Sequence, residues 1–535
     1  RIGSLLQPEQ IVKYGELTLR ENQIAYADPG FFRLFDFELL KGDKKTSLSM
    51  PGQVVITERI ARKYFKEEDP VGKILIFTGP YYKISCEVTG VMEEMPSNSH
   101  IHYNFLISYT SLPKFIHEYW YKHEAYTYVL LDSPEREAEI EREFPVMAEK
   151  YKTEEALKNK TWGVDLVPLA DIHLTPQLGY EMETKGNRSA MIALVFAAIA
   201  ILAIAWINYI NLTVARSMER AREVGVRRVV GAFRKQLIHQ FLFEALVMNL
   251  IAFILAVGLI ELILPYFNQL VGRTVTFSVW LMDYWWVLLV LVFIAGIFLS
   301  GYYPALALLN RKPITLLKGK FLHSKSGERT RQVLVIIQYT ASMILLCGTL
   351  IVFAQLNFMR SQSLGVKTDQ TLVIKFPGRT DGLNVKLEAM KKAIMRLPLV
   401  HSVAASGAVP GEEVATFLSN RRTNDALKQN RLYEMLACDP DYIEAYGLQV
   451  IAGRGFSEEY GDDVDKLVIN ETAVRNLGFA SNDEAIGELV TVECTDAPMQ
   501  IIGVVKDYHQ QALSKNYTPI MLIHKDKIDW LPQRY

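Results

Sequence analysis

The chain has 535 residues, half of them hydrophobic and 22% charged, with a formal net charge of −1 and a pI near 6.9. That balance excludes the basic excess a nucleic-acid partner requires, and four Cys over this length exclude a disulfide framework. The averages hide a strong segregation of apolar and charged residues along the chain.

Residues 1–188 read as an extracytoplasmic mixed α/β domain, in which short β-rich runs alternate with amphipathic stretches and Pro134 to Lys160 forms a charged helix. His100 and His102 would share a strand face, but without a carboxylate or Cys partner they are read as structural. Residues 189–331 read as a membrane domain with helices at about 189–215, 241–267 and 284–310, and 332–359 as a further transmembrane helix. At ~1.5 Å per residue each run can cross a hydrocarbon layer of ~30 Å. Only the second carries Asp, Glu, Lys or Arg, namely Glu244 and Glu261.

Several polar or hinge residues mark these runs. Asn208 and Asn211, one helical turn apart, are placed to bridge helices. Glu244 lies about a turn inside the second run and calls for a partner, read as an Arg of the preceding loop rather than a proton path. Gly301 and Pro304 suggest a kink or a helix end. The loops set orientation: residues 216–238 and 311–331 each hold seven Lys or Arg, whereas 268–283 holds Arg273 and Asp283 alone. Positive loops stay inside, so both large domains lie outside.

Residues 360–535 read as the second extracytoplasmic domain. Thr371–Phe376, Val403–Ser406 and Met499–Val505 are predicted strands, Leu383–Met395 and Tyr442–Tyr446 helices, and Val468–Leu477 a helix begun from a strand. This domain resembles the first one internally. Ala27-Asp28-Pro29 recurs as Cys438-Asp439-Pro440, Val55-Ile56-Thr57-Glu58 as Val468-Ile469-Asn470-Glu471, Gly72 as Gly487, and Val88-Thr89-Gly90-Val91 as Ile501-Ile502-Gly503-Val504. The near-constant offset predicts an internal duplication. Projecting each copy on the other places Arg1 near Glu412 and implies a fragment of a two-unit chain of roughly 800 residues. A Cys438–Cys494 bridge is left open.

The first cytoplasmic loop carries an apolar stripe, Val226, Val229, Val230, Phe233 and Leu237, opposed by Arg227, Arg228, Arg234 and Lys235. Such a segment is expected to lie flat in the membrane interface and to present a charged face inward. Gly225 and Gly231 would permit bends. From physics alone a coupling helix and a plain basic anchor weigh equally.

The loop and its flanks, Asn208 to Leu212, Ala215-Arg216, Arg220 to Gly225, Arg227-Arg228, Gly231-Ala232, Gln240-Phe241 and Glu244-Ala245, closely resemble the MacB/FtsX-type permeases of ABC transporters. Gly301 to Ala305, Pro313, Leu316 to Lys318, Gln338 and Ser342 extend the likeness, and the layout is similar to the long form with two tandem permease units. The resemblance implies a polytopic α-helical protein of the bacterial inner membrane, with large periplasmic domains. It implies an ATPase-coupling helix bearing Arg220, Glu223, Val224, Gly225, Arg227, Arg228 and Gly231, docked to a cytoplasmic ABC ATPase dimer. It also implies no cofactor and no catalytic residue of its own. G-x-x-x-x-G-K-[ST], H-E-x-x-H and G-x-S-x-G are absent from the sequence. Efflux of peptides, antibiotics or other envelope substrates is the implied activity, with a periplasmic adaptor and outer-membrane channel as further partners. Lipoprotein release and regulation of a cell-wall hydrolase or antimicrobial-peptide sensing stand as alternatives.

Overall fold

The computed structural model describes residues 2–3, 9–79, 83–96, 98–112, 125–151, 161, 163–174, 186–272, 275–276, 285–302, 305–306, 309, 325–375, 383–412, 414, 417–425, 431–460, 463–492, 495–513 and 515–527. The chain divides into two compact units, Arg1–Lys185 with Ser361–Tyr535, and Gly186–Arg360.

In the first flank the strands are β1 (Ile2–Gly3), β2 (Glu9–Tyr14), β3 (Leu17–Asn22), β4 (Ile24–Ala27), β5 (Leu39–Lys41), β6 (Gln53–Thr57), β7 (Ile74–Thr78), β8 (Lys83–Met92), β9 (Phe105–Ser108) and β10 (Ala125–Tyr126). The helices are α1 (Phe31–Leu34), α2 (Glu58–Phe65) and α3 (Arg136–Tyr151). One ten-stranded sheet runs β10-β1-β4-β9-β6-β8-β7-β2-β3, with β5 on β8. The middle of β6 is uniformly apolar because both faces of the sheet are covered. Val54 and Ile56 pack with Ile60, Tyr64 and Phe65 of α2, while Val55 packs with Phe31, Met92 and Leu106 on the other side.

The central unit holds α4 (Arg188–Val229), α5 (Arg234–Val271), α6 (Trp285–Ile297), extended by a π-helical turn over Phe298–Tyr302, and α7 (Lys325–Ser361). Arg188–Thr213, Arg234–Val271 and Gln332–Ser361 are long and apolar enough to cross a membrane; the run expected at 284–310 shows a shorter apolar helix, Trp286–Tyr302. The separate interfacial helix expected after residue 215 is not formed, because α4 continues through the basic loop to Val229. No Pro interrupts residues 216–229, and an interior Gly such as Gly225 costs only about 1 kcal/mol. The break comes at Gly231, where φ is 108°.

The second flank contains α8 (Leu383–Met395), β11 (Phe417–Arg422), β12 (Arg431–Cys438), α9 (Tyr442–Ala445), β13 (Val450–Gly453), β14 (Lys466–Asn470), α10 (Glu471–Leu477), α11 (Asn482–Ala485), β15 (Leu489–Val492), β16 (Met499–Val505) and β17 (Ile520–His524). The seven-stranded sheet runs β13-β16-β14-β17-β12-β11-β15. The strand expected at Thr371–Phe376 is irregular over 371–375, with Phe376 outside the described residues. The strand expected at Val403–Ser406 reduces to one bridge, Ser406 to Cys438. Cys438 is a buried free thiol; Cys494 lies outside the described residues.

The two sheets share their pairing. β6 runs parallel to β8 and antiparallel to β9, as β14 does to β16 and β17. Even the irregularity repeats: Val54 faces Val88 but Val55 faces Gly90, and Leu467 faces Ile501 but Val468 faces Gly503. The skipped residue lets a third strand cross close by. A Cβ on Gly453, at φ 66°, would overlap the Ile502 carbonyl, and one on Gly503 would overlap the Arg454 carbonyl. A Cβ on Gly42 would likewise overlap the Thr89 carbonyl, and one on Gly90 would crowd the Lys41 carbonyl at 3.0 Å. Ile2 faces Ala27 as Ser406 faces Cys438.

Candidate functional site

The functional residues expected around the basic loop gather at the turn between α4 and α5. Three backbone hydrogen bonds close it, Val230 N–H to Val226 O at 3.0 Å, Gly231 N–H to Arg228 O at 3.3 Å and Ala232 N–H to Arg227 O at 2.9 Å. Gly231 supplies the left-handed residue that ends α4. Gln236 then accepts the Phe233 N–H at 3.0 Å and opens α5. The corner is therefore a tight helical hairpin.

Its inner side is apolar. Val224, Leu237 and Phe241 are buried against Ala305 and Leu309, which follow α6 in sequence, and Gly225 is buried beside Val224. The basic residues reach inward over this cluster. Arg228 Nη1 and Arg234 Nη2 each donate to the Leu309 carbonyl oxygen at 3.1 Å. Arg227 donates to Glu223 Oε1 at 2.6 Å and to Gln240 Oε1 at 2.8 Å. Gln240 Nε2 in turn donates to Glu244 Oε1 at 3.3 Å. Glu244 is thus linked to Arg227 through the Gln240 amide.

The outer side of the same corner is also apolar. Val226, Val229, Val230 and Phe233 are 51%, 65%, 82% and 73% exposed. Arg220 lies on α4, with its side chain outside the described residues.

About one turn along α5 from Gln240, the helices cross closely. A Cβ on Gly301 would come within 2.9 Å of Ala245 Cβ and 3.2 Å of Leu242 Cα, so a larger residue would force α5 away from the π-helical turn. Asn249 Nδ2 donates to Ser300 Oγ at 3.0 Å, and Ser300 Oγ donates to the Gly296 carbonyl at 2.5 Å. Gly296 leaves room for Trp206 of α4 and for Asn249. Asn249 to Ser300 is thus a polar contact between α5 and the π-helical turn, while no side-chain hydrogen bond of Asn208 or Asn211 is found among the described residues. Pro304 lies outside the described residues.

Sequence reasoning gave no role to Gln240, Asn249, Ser300 or Leu309. The first two stood as polar residues within or beside an otherwise apolar segment, a readable signal; a backbone carbonyl acceptor leaves none. Elsewhere, His100 Nε2 lies 2.9 Å from Tyr128 Oη, and the stretch containing His100 and His102 is irregular rather than a strand. Among the described residues no group of three His, Cys, Asp or Glu could hold a metal ion.

Comparison with known proteins gives two family matches. The MacB-like periplasmic core domain matches residues 3–145 and again 315–532, and the FtsX-like permease C-terminal domain matches 195–313. The macrolide export ATP-binding/permease protein MacB of Neisseria meningitidis serogroup A is 23% identical over 241 residues, 45% of this chain and 33% of that protein. Its namesake from Rhodopseudomonas palustris is 27% identical over 222 residues, 41% of this chain and 31% of the relative. The chain thus spans about a third of the length of these curated relatives. Among solved structures, the periplasmic region of MacB from Actinobacillus actinomycetemcomitans is 16% identical, with a TM-score of 0.21, covering 32% of this chain and 71% of that one. The extracellular domain of the noncanonic ABC-type transporter YknZ from Gram-positive bacteria is likewise 16% identical, with a TM-score of 0.20, covering 29% and 72%.

Proposed function

The chain belongs to the MacB/FtsX-type ABC transporter permeases, and from that premise we propose that the α4–α5 corner receives movement from a cytoplasmic ATPase dimer in a separate subunit. The helices carry that movement to the two outer domains on the far side of the membrane. The observation behind this reading is the corner itself: a closed turn, tied by Arg228 and Arg234 to the segment after α6 and by Arg227 and Gln240 to Glu244 on α5. A push at such a corner moves all three elements together, because packed and hydrogen-bonded helices shift as bodies.

The apolar helices are read as spans of the inner membrane, with the corner inside, on the strength of their length and the basic loops. The matched pairing of the two sheets, bulge included, supports an internal duplication, with outer domains at 1–188 and 360–535, a membrane domain at 189–331 and a further helix at 332–359. The transported class is read as envelope substrates moved outward, since the matched relatives are named for macrolide export. A periplasmic adaptor and an outer-membrane channel would complete an efflux assembly.

The test is affinity purification of the full-length protein from native membranes, paired with cysteine labelling of Val226→Cys from either side. Recovery of an ABC ATPase, and labelling from the cytoplasmic side alone, support the reading. Absence of any ATPase, or labelling of that cysteine from outside, defeats it. The genes adjoining the locus separate efflux, marked by an adaptor, from regulation, marked by a hydrolase or sensor kinase.

A further inference from the structure

In the second outer domain, the loop that joins β16 to β17 and one side of α10 enclose a cavity of about 430 Å³, walled by Thr472, Arg475, His509, Lys515, Asn516 and Tyr517. We propose that this cavity binds a phosphate group, carried on a lipid headgroup or free in solution. Ligand pockets commonly span ~300–1,000 Å³, so a phosphate with a small polar substituent fits. No Asp or Glu is among the described residues that wall it. Asp507, just past β16, is already engaged: it accepts the Thr472 N–H at 2.9 Å, the Thr472 hydroxyl at 2.8 Å and Arg475 Nη2 at 2.8 Å. Arg475 Nη2 also reaches Thr472 Oγ1 at 2.7 Å, so the guanidinium is held by one nitrogen.

No hydrogen bond of Arg475 Nε or Nη1, of the His509 ring or of the Asn516 side chain is found among the described residues. A guanidinium fixed at one end and open at the other is suited to an oxyanion, to which it adds charge as well as donors. The His509 and Tyr517 rings brace each other, with centroids 4.4 Å apart. Donors therefore come from α10 and from both ends of the loop, and the tetrahedral oxygens of a phosphate use several directions at once, where those of a carboxylate lie in one plane. The path of the chain adds a source. His509 donates its N–H to the Leu364 carbonyl at 2.8 Å, and the apolar span Gln332–Ser361 ends three residues before Leu364. Three residues of chain extend ~11 Å at most, which brings a lipid headgroup layer within reach of this loop. The lipid source rests on the membrane reading above; the phosphate site does not.

The experiment titrates the full-length chain in detergent, by calorimetry, with inorganic phosphate and with glycerophosphoglycerol, a deacylated lipid headgroup. K515Q, and R475Q combined with K515Q, are titrated alongside, and the melting temperature of each is read. The double variant should bind about tenfold more weakly and K515Q several-fold more weakly, and because K515Q leaves the Arg475 to Asp507 pair in place it carries the test if the double variant melts lower. Tighter binding of the headgroup than of phosphate supports the site with a lipid source; equal binding supports it with free phosphate. Absence of heat with both probes, or affinities unchanged in both variants, overturns the proposal. Release of the chain from native membranes by alkaline carbonate would remove the membrane reading and the lipid source with it, while the phosphate titration would still decide the site.

Discussion

Asp507 accepts the backbone N–H of Thr472 at 2.9 Å and its hydroxyl at 2.8 Å, so a residue just past the end of β16 caps the first turn of α10. Glu94 stands in the same relation to the first flank, accepting the Arg59 N–H at 2.9 Å from just past β8. A carboxylate there satisfies a donor that the helix leaves open and sits at the favourable end of its dipole. Replacing Asp507 by Ala should cost about 1–2 kcal/mol, seen as faster amide exchange in α10. Unchanged exchange would mean the carboxylate contributes nothing to the helix.

Gly503 and Gly453 should tolerate Ala far less well than Gly478. All three lie in turns or crossings, but a Cβ on the first two would overlap a carbonyl of the neighbouring strand, whereas Gly478, at φ 82°, has open space around it. Gly478→Ala should lose about 1 kcal/mol through its left-handed backbone alone, and Gly503→Ala several times that. Equal melting temperatures for the two variants would contradict the close crossing.

The second outer domain should lose stability in acid partly through Asp463. Its carboxyl is held below the ordinary value of 3.8, first by the Arg454 guanidinium, whose two donors lie at 2.7 and 2.8 Å, with the Ser457 N–H adding to this against the opposing effect of burial. A lowered folded-state value means the contribution is complete above 3.8 and disappears as pH falls through the lower folded value. Denaturation between neutral pH and pH 2 should therefore show a steeper loss for the native chain than for D463N, whose stability lacks this component at every pH.

Gly301→Leu should separate α5 from the π-helical turn, since its side chain would have to enter the space held by Ala245 and Leu242. A fall in melting temperature of the detergent-solubilised protein, and loss of an engineered cross-link between α5 and the 298–302 turn, are the expected readouts. Overpacking costs of this kind run to about 1–3 kcal/mol or more.

Cys86 and Cys438 should resist maleimide until the protein unfolds. Both are fully buried; burial pushes the Cys86 thiol up to about 12 and the Cys438 thiol well above its ordinary range. Peptide-resolved mass spectrometry after labelling at neutral pH would detect modification at either position, and prompt modification would contradict their placement in the core.

Periodicity and punctuation were enough to locate much of this architecture. Leu383–Met395 and Met499–Val505 form the helix and strand that their patterns predict, and the family match covers the segments where the loop and turn motifs resemble the permeases. These features are local, set by which residues recur on one face and by where Gly and Pro interrupt them. Glu223, Arg227, Arg228 and Gly231 also gather at one corner, because the turn brings its own neighbours together.

What the order of residues could not disclose is which way each of these faces. Val224 and Val226 are two positions apart, yet one is buried against Leu309 and the other exposed, because α4 runs on through the loop and the chain after α6 packs along one of its sides. The arginines find a carbonyl at Leu309, some 75 residues distant in sequence from Arg234, and a carbonyl is a group every residue carries. The sequence by itself determined the apolar helices, the two mixed domains and the basic corner, through short-range patterning. Only the tertiary structure decided which corner residues brace the helices and which are presented to solvent, since that depends on which surfaces are already covered by parts of the chain far away in sequence.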